Sequence, residues 1–130
     1  GGARLDGLRV LLVDDDLDSL DLAGAILSSA GAVVKTCLSS PEALELIPRW
    51  RPDVLVSDIE MPGEDGYALI RRVRALDRPS GGSIPAIALT AYGRVEDRLR
   101  AVAAGYSMHV PKPVDPAELT TIVASLAGRG

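Results

Sequence analysis

Two aliphatic runs in this 130-residue chain end in carboxylates. LLVDDD (11–16) passes into Asp14, Asp15 and Asp16, and VLVSD (54–58) ends at Asp58, followed by the Pro- and Gly-bearing loop IEMPGEDG. Two further apolar runs end in a hydroxyl and an ammonium: ALT at Thr90, and HVPKP with Lys112. Carboxylates gathered within a few ångströms repel one another, and a divalent cation relieves that repulsion. Mg²⁺ suits such a site because it prefers oxygen ligands and keeps several waters, so few protein ligands suffice. A carboxylate attacks phosphorus once nearby cations neutralise the phosphoryl oxygens and hold the partners in line. A lysine ammonium is a mobile point charge for such an oxygen, and a threonine hydroxyl is a donor to it.

Each residue also has a plainer role. DDDLDS (14–19) reads as an acidic cap for a following helix, favoured by its dipole, and Asp16 and Asp18 are assigned only that role. Asp14, Asp16 and Asp18 mimic the start of a calcium loop, but Ser19 and Ala25 stand where Gly and Glu are required. Asp58 alone reads equally well as a turn former, Lys112 as a surface cation and Thr90 as an ordinary strand residue. His109, the only histidine, reads by default as a partly exposed strand residue.

The elements that must position these residues follow from periodicity. Runs at 8–13, 32–37, 53–57, 86–90 and 107–110 predict five strands, several apolar nearly throughout, as befits strands covered on both faces. Between them lie helical stripes: Leu20, Ala23, Leu27 and Ala30; Ala43, Leu44 and Ile47; Ala68, Leu69, Val73 and Leu76; Val95, Leu99 and Val102; and Leu119, Ile122, Val123 and Leu126. Gly31, Pro41, Gly105 and the DPAEL segment punctuate the boundaries. Alternation of this kind predicts one α/β domain with a doubly wound parallel sheet, a (βα)5 arrangement over residues 8–127. Residues 1–7 are expected to be linker or an expression scar, and 128–130 a tail. In such sheets ligands bind at the carboxyl ends of the strands, where the strand order reverses. The polar residues above all fall there.

Composition narrows the partners. A formal charge of −4 supplies no basic stripe for nucleic acid or anionic lipid. Cys37 is the single cysteine, which excludes an internal disulfide and fits a reducing, cytoplasmic setting, with Cys37 in the core. No apolar run reaches the length of a membrane span. An aromatic content of 3% argues against a flavin domain of similar topology.

LLVDDD, SDIEMPGEDG, ALTAY and PKPVD, in this order and spacing, resemble the receiver domains of two-component response regulators over about residues 8–127. The resemblance implies the flavodoxin-like strand order 2-1-3-4-5 and a phosphoacceptor at Asp58, assisted by Lys112 and Thr90. It implies Mg²⁺, with Mn²⁺ as a substitute, held by Asp15, Asp58 and the Glu60 backbone carbonyl, with Asp14 acting through water. It implies a histidine kinase or histidine phosphotransfer protein as donor, and a signalling switch with self-catalysed phosphotransfer and dephosphorylation rather than a metabolic enzyme. His109 stands where the family often has Tyr or Phe, so Thr90 and His109 are the expected switch pair, with His109 more exposed at rest. Helix four, strand five and helix five form the expected surface for partners or self-association. The phrasing is also similar to receivers of hybrid histidine kinases, so output is expected from this domain's surface or from a neighbouring domain. Two alternatives stay open: an unphosphorylated pseudo-receiver acting as an interaction module, and a hydrolase whose nucleophile is Asp14.

Overall fold

Each aliphatic run becomes a parallel strand, and in the three central strands residues alternating to opposite faces find a helix layer on both sides. The structure, a computed structural model, describes residues 4–129. Strands β1 (Arg9–Val13), β2 (Val33–Cys37), β3 (Val54–Asp58), β4 (Ala86–Thr90) and β5 (Met108–Pro111) alternate with helices α1 (Leu17–Ser29), α2 (Ser40–Trp50), α3 (Gly66–Arg74), α4 (Val95–Ala104) and α5 (Pro116–Leu126). A 3₁₀ turn at Arg78–Ser80, absent from the sequence reading, precedes β4. The strand order is β2-β1-β3-β4-β5, as the resemblance implied, so β2 and β5 are the edges.

The sheet separates two cores. Val10, Leu12, Val54, Val56, Ile87, Leu89 and Val110 pack with Leu20 and Leu27 of α1 and Leu119 and Val123 of α5. Leu11, Val13, Leu55, Ala86 and Ala88 face the other way, onto Ala43 and Ile47 of α2, Leu69, Ile70 and Val73 of α3, and Ala101 of α4. Cys37 is buried in this second core, as expected. Helix starts are satisfied locally: the side chains of Asp16, Ser39, Asp65 and Asp115 accept from the amides of Asp18, Glu42, Ala68 and Ala117. Among the described residues α4 is the exception, with Arg94 at its N-cap and no side-chain cap.

Three expectations are corrected. The α4 stripe does not face the core: Val95, Leu99 and Val102 are 61%, 59% and 51% exposed, and only Ala101 of that helix is buried. Periodicity finds an apolar face but does not say which side has a partner. In α3 the buried set is Gly66, Tyr67, Leu69, Ile70 and Val73, while Ala68 is half-buried. The linker expected over residues 1–7 does not hold for residues 4–7, since Leu5 is fully buried in the first core and its amide donates to the Ala30 carbonyl at 2.8 Å. The Gly7 amide donates to Gly31, and the Arg129 guanidinium donates to the Asp6 carbonyl at 2.7 Å, so this segment joins the ends of α1 and α5.

Leu5→Ala is therefore expected to behave as a core truncation, costing about 2–5 kcal/mol in urea unfolding. A loss under ~0.5 kcal/mol would return the segment to linker.

Candidate functional site

β1 sits between β2 and β3, and the chain leaves β1 toward α1 on one face of the sheet and β3 toward α3 on the other. The strand ends on either side of this divergence form a cleft. β1 delivers Asp14 and Asp15 there, and Asp58 is the last residue of β3. One carboxylate oxygen from each of Asp14, Asp15 and Asp58 lies within 4.8 Å of the others. Asp14 and Asp58 are buried, whereas Asp15 is exposed at the rim. From past the end of β5 comes Lys112, whose amide donates to the Thr90 carbonyl at 2.7 Å and whose peptide bond to Pro113 is cis. Its Nζ lies 3.0 Å from Asp14 Oδ2 and 3.3 Å from Asp58 Oδ1. Asp14 is further held by the Asp16 amide, which donates to Oδ1 at 3.0 Å. Asp16 itself caps α1, the plain role assigned to it.

The charges do not cancel. Burial, and then the neighbouring Asp14 carboxylate, push the Asp58 carboxyl up to about 6, against the pull of Lys112 and a hydrogen bond from the Glu60 amide. Burial disfavours the Lys112 ammonium, but its hydrogen bond to Asp14 and the charges of Asp58 and Asp14 outweigh that, and its pKa is raised. Three hard oxygen donors within 4.8 Å of one another, with one ammonium beside two of them, suit a divalent cation such as Mg²⁺, so the residues present fit that metal.

The loop after Asp58 is clamped from several sides, and these clamps escaped the sequence reading. Its Ile59 amide donates to Leu89 of β4 at 3.0 Å, and the Gly66 amide closes back on the Ile59 carbonyl at 2.9 Å. A Cβ at Gly66 would lie 2.5 Å from the Asp58 carbonyl oxygen, so this close approach requires glycine. The buried Tyr106 hydroxyl donates to the Gly66 carbonyl at 2.7 Å, and the buried Ser40 hydroxyl to the Glu64 carbonyl at 2.9 Å. Both donors are remote in sequence; no local spacing points to them. Glu60 is exposed and shares with Thr90, Tyr92 and Arg100 the lining of an open cavity of about 540 Å³ beside the cleft.

Thr90, at the end of β4, is buried, and His109 on β5 is half-buried. That exposure matches the partly exposed strand residue expected, and its Nε2 lies 2.6 Å from the Thr90 hydroxyl. The structure thus brings Asp14, Asp15, Asp58 and Lys112 into one cluster and joins Thr90 to His109 as a pair.

Residues 10–124 match the family described as the response regulator receiver domain. A 14.6 kDa protein of Leptolyngbya boryana is 49% identical over 116 residues, covering 89% of this chain and 87% of that protein. The transcriptional regulatory protein PrrA of Mycobacterium leprae is 37% identical over 93% of this chain, which spans only 50% of PrrA. Among solved structures, the receiver domain of a sensor histidine kinase from Pseudomonas aeruginosa, with a magnesium ion coordinated in its active site cleft, superposes with a TM-score of 0.85. It is 33% identical, covering 94% of this chain and 98% of that one.

The displaced Asp58 ionisation carries a stability consequence with a definite sign. An unfolded chain loses the Asp58 proton near 3.8, and the fold keeps it to about 6. Between those values the fold binds more protons, so stability falls as pH rises through this window and stays lowered above it. Metal-free Asp58→Asn should therefore be more stable than wild type at pH 7.5, by about 1–3 kcal/mol, with the gain shrinking toward pH 4. Denaturant midpoints in chelator at both pH values check this.

Proposed function

Since the chain belongs to the response regulator receiver domains, the phosphoacceptor modules of two-component signalling, we propose that Asp58 takes the phosphoryl group and that Lys112, Thr90 and the acidic pair serve its transfer. The observation carrying this reading is the Lys112 ammonium set against Asp58 and Asp14 at the switch point, with Asp15 beside them. A histidine kinase or phosphotransfer protein presents a phosphorylated imidazole. An Asp58 oxygen forms the new P–O bond as the P–N bond breaks, and the nitrogen keeps the bonding electrons and takes a proton. The product is an acyl phosphate. Water later returns the carboxylate and free phosphate, so the chemistry is self-catalysed signalling rather than metabolic turnover.

In this reading Asp15, Asp58 and the Glu60 carbonyl hold Mg²⁺ or Mn²⁺, with Asp14 as an outer partner; when bound, the ion supplies neutralisation of the phosphoryl oxygens. Lys112 exchanges part of its hold on Asp58 for a phosphoryl oxygen, a short movement for a flexible stem. Burial of Asp14 and Asp58 keeps these interactions strong, because little water competes.

The exposed Val95, Leu99 and Val102 stripe on α4 and Met108 on β5 support the further reading that α4, β5 and α5 form the reporting surface. α4 lacks a side-chain N-cap and buries only Ala101, so it is the helix that can shift at least cost. Self-association through this face on phosphorylation belongs to the same proposal, as does a cytoplasmic setting without nucleic-acid or membrane contact. No helix among the described residues is long and apolar enough to cross a membrane.

Treatment with acetyl phosphate and Mg²⁺ should add one phosphoryl group to the intact mass. Hydroxylamine should remove it, chelator should prevent it, and Asp58→Asn should abolish it. An adduct that survives in Asp58→Asn would point to another acceptor, and its absence from wild type would favour an unphosphorylated interaction module. Asp15→Ala should weaken Mg²⁺ binding more than Asp16→Ala, whose expected cost is a lost helix cap of about 1 kcal/mol. On the reporting surface, beryllofluoride with Mg²⁺ should shift the sedimentation coefficient toward a dimer, and Leu99→Arg should remove that shift while leaving Asp58 phosphorylation intact. A shift unaffected by Leu99→Arg would place self-association elsewhere.

A further inference from the structure

Thr90, His109 and the backbone at Tyr92 close a hydrogen-bonded triangle beside the cleft. The Thr90 hydroxyl oxygen is 2.7 Å from the Tyr92 carbonyl oxygen and 2.6 Å from His109 Nε2, and that nitrogen is 3.1 Å from the same carbonyl. β4 and β5 are paired with His109 opposite Ala88, two residues before Thr90, so the imidazole and the hydroxyl share one face of the sheet. A carbonyl offers only lone pairs, so a bare Nε2 at 3.1 Å would set lone pair against lone pair. Nε2 therefore carries its proton. The Thr90 hydroxyl has one proton and two lone pairs. With Nε2–H occupying a lone pair, the hydroxyl proton goes to the Tyr92 carbonyl. Every hydrogen bond is then satisfied, and none depends on Nδ1, so the triangle is the same for the neutral Nε2–H tautomer and the imidazolium.

Building on the reading of Asp58 as the acceptor, we propose that His109 is a positioning residue for Thr90. It donates to the hydroxyl oxygen, fixes the hydroxyl proton on the Tyr92 carbonyl while Asp58 is unmodified, and goes on donating when that proton turns to a phosphoryl oxygen. The exchange is local. Thr90 gives up a neutral carbonyl acceptor for an anionic one, a shorter and stronger bond. A donor already polarising the hydroxyl strengthens its outgoing bond, and the gain grows with the charge of the final acceptor. His109 therefore contributes more to the phosphorylated state than to the unmodified one. A phenyl ring at this position fills similar space but has no proton to give. The exchange also leaves the Tyr92 carbonyl with only the longer Nε2–H contact. Tyr92 lies in the loop leading to Arg94 and the uncapped start of α4. The phosphoryl group thus alters the hydrogen bonding of the segment that anchors α4, with His109 as the fixed point about which Thr90 turns.

The test is a double-mutant cycle of His109→Phe and Thr90→Ala read by titration with beryllofluoride and Mg²⁺, together with the nitrogen-15 spectrum of the wild-type imidazole. His109→Phe should weaken beryllofluoride binding by about threefold to tenfold, the scale of one net hydrogen bond, and should have no further effect in the Thr90→Ala background. The imidazole spectrum should show Nε2 protonated before and after addition. Binding unchanged by His109→Phe, an equal loss in both backgrounds, or an unprotonated Nε2 in the unmodified protein would each overturn the inference. Should the Phe variant fail to fold, the imidazole spectrum decides alone. Failure of wild type to bind beryllofluoride, or undiminished binding by Asp58→Asn, would overturn the acceptor reading and this inference with it. Normal wild-type binding with an inert His109→Phe would overturn this inference only.

Discussion

Three carboxylates converge at the carboxyl ends of the central strands, two of them on one lysine ammonium, and much of the molecule counters the resulting repulsion. Asp14 is satisfied by the Asp16 amide and Lys112 together, so its charge is held in place. Asp58 shares the same ammonium and receives the Glu60 amide, which is not enough to keep its ionisation in the ordinary range. Two buried carboxylates near one another are costly, and they stay together only where the surrounding structure is stiff enough to resist their separation. That stiffness comes from two cores on either side of β1, β3 and β4, all three almost completely buried.

The restraint is distributed unevenly around the cleft. The Asp58 loop is tied to β4 through Ile59, to α2 through Ser40 and to the segment before β5 through Tyr106. Gly66 lets the start of α3 press directly onto the strand end. On the β4 side the next helix has neither a side-chain cap nor a broad buried face. Movement after a charge change at Asp58 is therefore cheapest toward α4, while Asp58 and the carboxylates beside it stay where they are. A site that must receive a group in a fixed geometry and then report its arrival needs both properties, and here they fall on opposite sides of one carboxylate.

Much of this could be read from the chain. The five strands lay within a residue or two of their apolar runs, and in β1, β3 and β4 burial on both faces leaves a continuous signal. Asp14, Asp15, Asp58 and Lys112 were legible as polar strand ends from local spacing, and their meeting followed from the strand order that the resemblance implied. α4 was misread for an equally physical reason: Val95, Leu99 and Val102 have the spacing of a buried stripe, and amphipathicity does not record whether a partner lies inside or outside the domain. Leu5 was missed because one leucine among Gly, Ala, Arg and Asp has no periodicity to reveal it. Tyr106 and Ser40 act across 40 and 24 residues, distances at which a lone hydroxyl gives no sequence signal.

His109 shows where substitution within a recognisable pattern changes the physics. The resemblance placed it in the role of an aromatic ring that follows Thr90 by filling space, which made exposure the expected variable. The folded chain gives it a directional bond instead. A phenol or phenyl ring answers a vacancy, whereas an imidazole already donating to the hydroxyl has no vacancy to wait for, and what changes is the acceptor chosen by Thr90. Because the three atoms of the triangle come from β4, from β5 and from the loop into α4, that choice is felt by two strands and one weakly held helix at once. The coupling then rests on hydrogen-bond geometry over about 3 Å rather than on a side chain swinging through the sheet edge.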